Sequence, residues 1–379
     1  MQYTNRFTII AVLLLSIFAV STTAQEELEE QTILTTFIPN IQYAPIYVGI
    51  AQGLYEDAGY DVSVEYLEEP QVVDLVASNI NQIGIVSGEQ VIQAVAQDRP
   101  ITYVYEWWQE FPIGIVYSDA IEVNSVEDLV DLRVGIPGPF GANYSGLIAL
   151  LNSAELDISD LTVDSIGFAA PDVFCVGGVD ASVVYANNEP LQITTRAENG
   201  DCGDVRGVNV LRIGEVLNLV SNGLITNQET LENNPELVQT FVSIWDESLQ
   251  LSINNPARAY LLSAPYIEGL PLGPGLEEAL INLAEETDEF LANNPTREDI
   301  AENRATQYDA LSEQFDTETL LQFQVLIASI DFWDAEQLGF SDGEAWSNMQ
   351  ETLITLGLLD EAIDVETYFT NDFLPMTEE

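Results

Sequence analysis

The chain contains no histidine and no lysine, and its nine basic residues are all arginine. These absences remove whole classes of chemistry. Neither a Ser-His-Asp triad nor a Cys-His pair can be assembled, and no lysine is present to form a Schiff base. Zinc sites lose their commonest nitrogen ligand. No G-x-x-x-x-G-K-[ST] loop and no EF-hand spacing occurs. The scarcity of positive charge excludes partners as well. The 63 Asp and Glu residues leave a net charge of -54, which repels nucleic-acid backbones and anionic lipid surfaces. Acidity of this kind reads as solubility in a salty or otherwise harsh medium. Neighbouring acids such as Glu68-Glu69 and Glu285-Glu286 arise by chance in such a chain and read as solvated surface. A carboxylate-based hydrolase is the enzymatic alternative that survives, with nothing to single out its catalytic pair.

Long apolar runs are also missing, except near the N-terminus. Arg6 precedes an apolar run over 7–20, followed by Ser21-Thr22-Thr23-Ala24. The run falls short of the roughly 20 residues a spanning helix needs, and the small residues after it suit cleavage. We therefore expect a signal peptide over 1–24, an acidic leader over 25–31, and a protein that is secreted, periplasmic or associated with the cell surface. No cysteine stands near the cleavage point to carry a lipid anchor. The two cysteines present, Cys175 and Cys202, then form an even pair in an oxidising compartment. One disulfide across that loop would contribute about 3 kcal/mol. The alternative, a metal site, lacks histidine partners.

From residue 32 onward, short β-branched runs alternate with helical periods. Strands are expected at 32–38, 61–67, 82–86, 101–106 and 114–117, with helices at 44–58, 71–78 and after Ser87. There Ser87 and Gln90 read as a capping box. A second unit follows: a strand at 133–136, a turn at 137–141, a helix carrying Leu147 and Leu151, and a strand at 182–185. Segments 208–213 and 217–226 run back toward the first unit, and the pattern beyond Asn234 is helical. The expectation is an α/β protein of two lobes. Residues 32–118 form the first lobe, 119–207 the second, and 208–379 return to the first with a helical C-terminal region packed on it.

Four turns at expected strand ends carry aromatic and amide groups. They are Pro39-Asn40-Ile41-Gln42-Tyr43-Ala44-Pro45, Trp107-Trp108-Gln109-Glu110-Phe111-Pro112, Phe140-Gly141-Ala142-Asn143-Tyr144 and Tyr185-Ala186-Asn187-Asn188-Glu189. In open α/β sheets, ligands bind outside the carboxyl ends of the strands, where such turns converge. Aromatic faces stack on planar rings, and a few amides and carboxyls orient them.

The run from Pro39-Asn40 through Tyr43-Ala44-Pro45, Tyr47-Val48-Gly49 and Gly53-Leu54-Tyr55 to Gly59 resembles the opening of periplasmic-binding proteins related to thiamine-pyrimidine precursor binders. The resemblance extends over about 32–230, including Gly84-Ile85, Glu127-Asp128-Leu129 and Val134-Gly135-Ile136-Pro137-Gly138. Ser87-Gly88-Glu89-Gln90, Glu106-Trp107-Trp108-Gln109 and Val184-Tyr185 with Asn187-Asn188-Glu189-Pro190 are most similar to riboflavin-binding members. It implies a type 2 periplasmic-binding fold, in which two lobes close on a ligand and dock on an ABC permease. Carried over by position, the expected ligand contacts are Asn40, Tyr43, Tyr47, Glu89, Trp107, Trp108, Asn143, Tyr144, Tyr185, Asn188 and Glu189. Fungal relatives that make thiamine pyrimidine depend on histidine and lysine, which this chain lacks.

Charge narrows the ligand. No arginine stands in the four turns, and the chain is strongly negative, so an anion is disfavoured. Two tryptophans with several tyrosines suit a tricyclic ring better than a pyrimidine. The expected function is capture of riboflavin or a related neutral flavin by a monomeric, cofactor-free binding protein. The alternatives are a binder of a hydroxymethylpyrimidine-type thiamine precursor, an extracytoplasmic sensor or the hydrolase above.

Overall fold

The computed structural model describes residues 28–375, so the expected signal peptide and the start of the leader lie outside the described residues. Ten strands occur in chain order: β1 (Glu29–Thr36), β2 (Tyr60–Leu67), β3 (Ile83–Ser87), β4 (Ile101–Glu106), β5 (Ile113–Ser118), β6 (Arg133–Ile136), β7 (Thr162–Ser165), β8 (Ala181–Tyr185), β9 (Val208–Arg212) and β10 (Asn222–Asn227). They form two five-stranded sheets, ordered β2-β1-β3-β10-β4 and β7-β6-β8-β5-β9. Both sheets follow one plan. Three parallel strands are followed by an antiparallel fourth, and that fourth strand is the one arriving from the other lobe. The exchange of β5 and β10 leaves two connections between the lobes, 107–112 and 213–221.

This moves the expected boundaries. Strand β5 was placed in the first lobe and β9 in the returning segment, yet both pair in the second sheet. Pairing partners far along the chain, not local pattern, decide which sheet an apolar run joins. At the N-terminal edge, Glu29, Glu30 and Gln31 of the expected leader are already in β1, paired with Tyr60, Asp61 and Val62.

The helix expected over 44–58 is interrupted. A short 3-10 turn, Ile41–Tyr43, leads into Ala44–Ala51, and a second helix, Leu54–Asp57, restarts after Gly53 at φ 73°. Glycine reaches that left-handed conformation without steric cost. The capping box expected at Ser87 and Gln90 does not form. Ser87 precedes the helix Gly88–Ala96, but its hydroxyl bonds Glu69 and Glu89 instead. The helix Arg297–Ser312 has no apolar stripe to betray it and buries Arg304, Gln307 and Leu311. Arg304 donates to Asp334 at 3.0 Å, which satisfies its charge inside the protein.

The C-terminal helices do not pack on the first lobe alone. Pro235–Asn254, Pro256–Ser263, Pro274–Leu291 and Thr317–Trp333 share one apolar core with residues of the first sheet and the helix Ala44–Ala51. Thr317–Trp333 also meets Glu189–Glu198 of the second lobe, where Asn187 Nδ2 donates to Ser329 Oγ at 2.7 Å. Gly343–Thr355 contacts both Gly88–Ala96 and Gly141–Ser153. In the second lobe Cys175 and Cys202, 27 residues apart, are joined as a disulfide beside Phe174, Val184 and Ile193. Among the described residues, no helix is long and apolar enough to cross a membrane.

Candidate functional site

A cavity of about 540 Å³ lies between the sheets, walled by segments that follow the carboxyl ends of β1, β2, β4, β6, β7 and β8. It is lined by Asn40, Tyr43, Trp107, Trp108, Asn143, Tyr185, Asn188 and Glu189 among the expected residues. Among the described residues, no arginine lines it.

Its floor is aromatic. Backbone N–H groups of Trp107 and Trp108 both donate to the Asn222 carbonyl at 3.1 Å, clasping one interlobe connection to the strand that follows the other. Trp107 then packs 5.6 Å from Tyr43 and 5.4 Å from Trp108, and Trp108 meets Tyr185 edge-on at 5.6 Å. The Tyr43 hydroxyl donates to the Thr36 carbonyl at 2.6 Å, and the Tyr185 hydroxyl to Asn222 Oδ1 at 3.1 Å. At the mouth, Phe37 of the first lobe meets Phe168 of the second edge to face, 5.0 Å apart.

The polar groups are largely held by local structure. Asn40 caps the Ile41–Tyr43 turn by accepting from the Gln42 N–H at 2.8 Å. Asn143 Nδ2 donates to the Val183 carbonyl at 3.2 Å, and Asn188 Oδ1 accepts from Gln192 at 2.8 Å. Glu189 accepts the Tyr185 N–H at 3.0 Å. Burial pushes the Glu189 carboxyl up to about 7, with hydrogen bonds from its own backbone N–H and that of Tyr185 opposing the rise.

Three expected contacts do not line the cavity. Tyr144 follows Asn143 on the helix Gly141–Ser153, so it points about 100° away and packs against an apolar cluster shared by both lobes. Tyr47 lies one turn beyond Tyr43, stacked on Tyr266 at 5.3 Å with its hydroxyl against that of Tyr66. Glu89 is fully buried behind Ser87.

Residues not anticipated also line the cavity, among them Phe37, Tyr66, Glu69, Phe168 and Asn222. Glu69 corrects the reading of Glu68-Glu69 as solvated surface. Glu68 is exposed, but Glu69 opens the helix Glu69–Ala77 facing the cavity and accepts the Ser87 N–H at 3.0 Å. The available signal was Glu69-Pro70 directly after a strand, a helix start at the ligand-facing end of the sheet.

Two lobes exchanging one strand each around an interlobe cavity define a periplasmic-binding-protein fold. The periplasmic aliphatic sulphonate binding protein SsuA from Escherichia coli shares that fold, with a TM-score of 0.53, 18% identity and coverage of 80% of this chain and 97% of that one. The chain belongs to the NMT1/THI5-like family, whose model matches residues 40–259. It is 31% identical over 360 residues to the riboflavin-binding protein RibY of Chloroflexus aurantiacus, covering 93% of this chain and 88% of the relative. It is 25% identical over 282 residues to the formylaminopyrimidine-binding protein of Halalkalibacterium halodurans, covering 73% and 83%.

Proposed function

We propose that the protein is the extracytoplasmic solute-binding component of an ABC importer, a non-catalytic monomer that captures riboflavin or a closely related neutral flavin and passes it to a membrane permease. The observation that carries this reading is an aromatic-walled cavity of about 540 Å³ with carboxyl and amide groups but no arginine in its lining. That volume lies within the roughly 300–1,000 Å³ typical of sites for drug-sized ligands. Tyr43, Trp107, Trp108 and Tyr185 supply ring faces and edges for a wide planar system. Three carboxyls in the lining, Glu68, Glu69 and Glu189, with no arginine among the described lining residues, disfavour an anionic ester of the same ring. A relative that matches over 93% of the chain is a riboflavin-binding protein by name.

The test is fluorescence titration of riboflavin with purified protein, alongside the absorbance spectrum of the protein as isolated. Quenching of flavin emission, or a co-purifying yellow chromophore, is the expected result. Unquenched flavin, with hydroxymethylpyrimidine raising the melting temperature instead, would assign the cavity to a thiamine precursor.

A further inference from the structure

Behind the cavity wall, two carboxyl groups converge on one hydroxyl. Ser87 Oγ lies 2.9 and 3.0 Å from the two oxygens of Glu69 and makes an even closer contact with Glu89 Oε1. A serine hydroxyl has one hydrogen to donate, and ionised carboxylates only accept. Two charged carboxylates therefore cannot both be satisfied by Ser87, so one of the pair must carry a proton and donate it to Oγ. The surroundings select which. Glu69 receives a second hydrogen bond from the Ser87 backbone N–H at 3.0 Å and lies on the cavity wall. Glu89 is wholly buried, and its Oε2 has no partner.

We propose that Glu89, Ser87 and Glu69 form a directional proton-holding relay in which Glu89 retains the proton, Ser87 passes the hydrogen bond on, and Glu69 faces the ligand as a charged acceptor for an N–H group. The ligand class this selects is a neutral heterocycle with an imide or ring N–H at its edge. In riboflavin that group is the imide. Glu69 is thus a specificity residue and Glu89 a positioning residue. The assignment of the ligand rests on the flavin reading above, whereas the relay itself does not.

The groups facing the pair reinforce it. Tyr103 and Glu106 on β4, together with Tyr43 and Tyr185 at the cavity, are neutral or acidic. Tyr144 is the titratable residue of the neighbouring helix Gly141–Ser153. Asp74, farther along the helix of Glu69, is paired at the surface with Arg99 at 2.7 Å. Glu344 and Glu351 on the packed helix Gly343–Thr355 are exposed. Among the described residues no arginine pairs with Glu69 or Glu89. Burial, with the charge of Glu69 adding to it, pushes the Glu89 carboxyl up to about 8. Burial raises Glu69 too, while the two hydrogen bonds from Ser87 oppose the rise.

The relay predicts a proton-linked site. Above about pH 8 Glu89 ionises, two like charges meet across Ser87, and affinity falls by up to about tenfold per pH unit for the one proton involved. The experiment pairs infrared spectroscopy of the ligand-free protein at pH 7 with fluorescence titrations at pH 7 and pH 9. The proteins are wild type, Glu89→Gln, Glu69→Gln and Ser87→Ala; the ligands are riboflavin and its imide N-methyl analogue. Glu89→Gln is expected to lose one carboxylic-acid carbonyl stretch and to flatten the alkaline loss, because its amide still donates to Ser87. Glu69→Gln is expected to weaken riboflavin tenfold or more while leaving the N-methyl analogue within twofold of its wild-type affinity. Should Glu89→Gln prove unstable, Ser87→Ala must shift the same acid band. An acid band unchanged in both variants overturns the relay. An equal loss of both ligands in Glu69→Gln overturns its reading of an N–H. A wild-type protein that ignores riboflavin overturns the ligand assignment alone, and the infrared measurement still decides the relay.

Discussion

Trp107 has indole neighbours on three sides: Trp108 at 5.4 Å, Trp245 at 5.3 Å and Trp333 at 5.6 Å. Only 2% of its surface is exposed, so it belongs to the core of the first lobe as much as to the cavity floor. Trp107→Ala is therefore expected to destabilise the protein by about 3–5 kcal/mol, read from the urea midpoint, rather than to weaken binding alone. Phe168 is the contrasting case. It is 65% exposed, and its described aromatic partner is Phe37 across the cleft. Phe168→Ala should leave the urea midpoint of the free protein within about 0.5 kcal/mol and weaken flavin binding by about 0.5–1.5 kcal/mol, the typical worth of such an aromatic pair. A titration that shows no loss would mean that the two rings do not hold the closed cleft.

At the level of elements, close approach explains several residues. A Cβ on Gly223 of β10 would lie 2.2 Å from the Tyr103 hydroxyl and 2.2 Å from the Tyr105 carbonyl oxygen. Gly223→Ala is expected to cost about 1–3 kcal/mol of stability by thermal melt, since the backbone carbonyl cannot step aside. In the second lobe, the disulfide closes the segment between Cys175 and Cys202 against a small cluster of seven other buried apolar residues. Its replacement by serines should lower unfolding free energy by about 3 kcal/mol, and reductant should have no further effect on that variant. The strands show what pattern alone conveys. Strand β4 and strand β6 are legible to the residue, because runs such as Ile101-Thr102-Tyr103-Val104-Tyr105 are β-branched and aromatic throughout. The sheet to which β5 and β9 belong is not legible, because an apolar run carries no record of its partner.

For the molecule as a whole, acidity and burial act in the same direction. Glu89 and Glu106 are pushed up to about 8 and Glu189 to about 7, each chiefly by burial. All three folded values lie above the ordinary 4.5 of the unfolded chain. Their stability contribution is thus fully present below about pH 4.5 and is lost as pH rises through 7 to 8. The melting temperature should fall from pH 5 to pH 9, and Glu106→Gln, which keeps an acceptor for the Ser341 hydroxyl now 2.9 Å from Glu106 Oε2, should fall less steeply. A parallel slope in that variant would exclude Glu106 as a contributor. Self-repulsion from a net charge of -54 also weakens the folded state, and screening shortens its range from about 10 Å at 0.1 M salt to 3 Å at 1 M.

Composition and local pattern by themselves narrowed the chemistry: without histidine or lysine no histidine-activated nucleophile and no Schiff base can form, whatever the fold, and side-chain cations are limited to nine arginines. They also determined that the chain alternates strand and helix, because side-chain periodicity is a local property. Tertiary structure alone decided which residues share the cavity. It set Tyr47 against Tyr66 and drew Glu69 out of an acidic surface pair onto the wall. It also brought Glu69 and Glu89 onto one hydroxyl, an arrangement that depends on β2 and β3 ending side by side across β1. Proximity between residues distant in the chain is created by sheet pairing, and proton sharing depends on that proximity, so neither can be read from any local stretch of sequence.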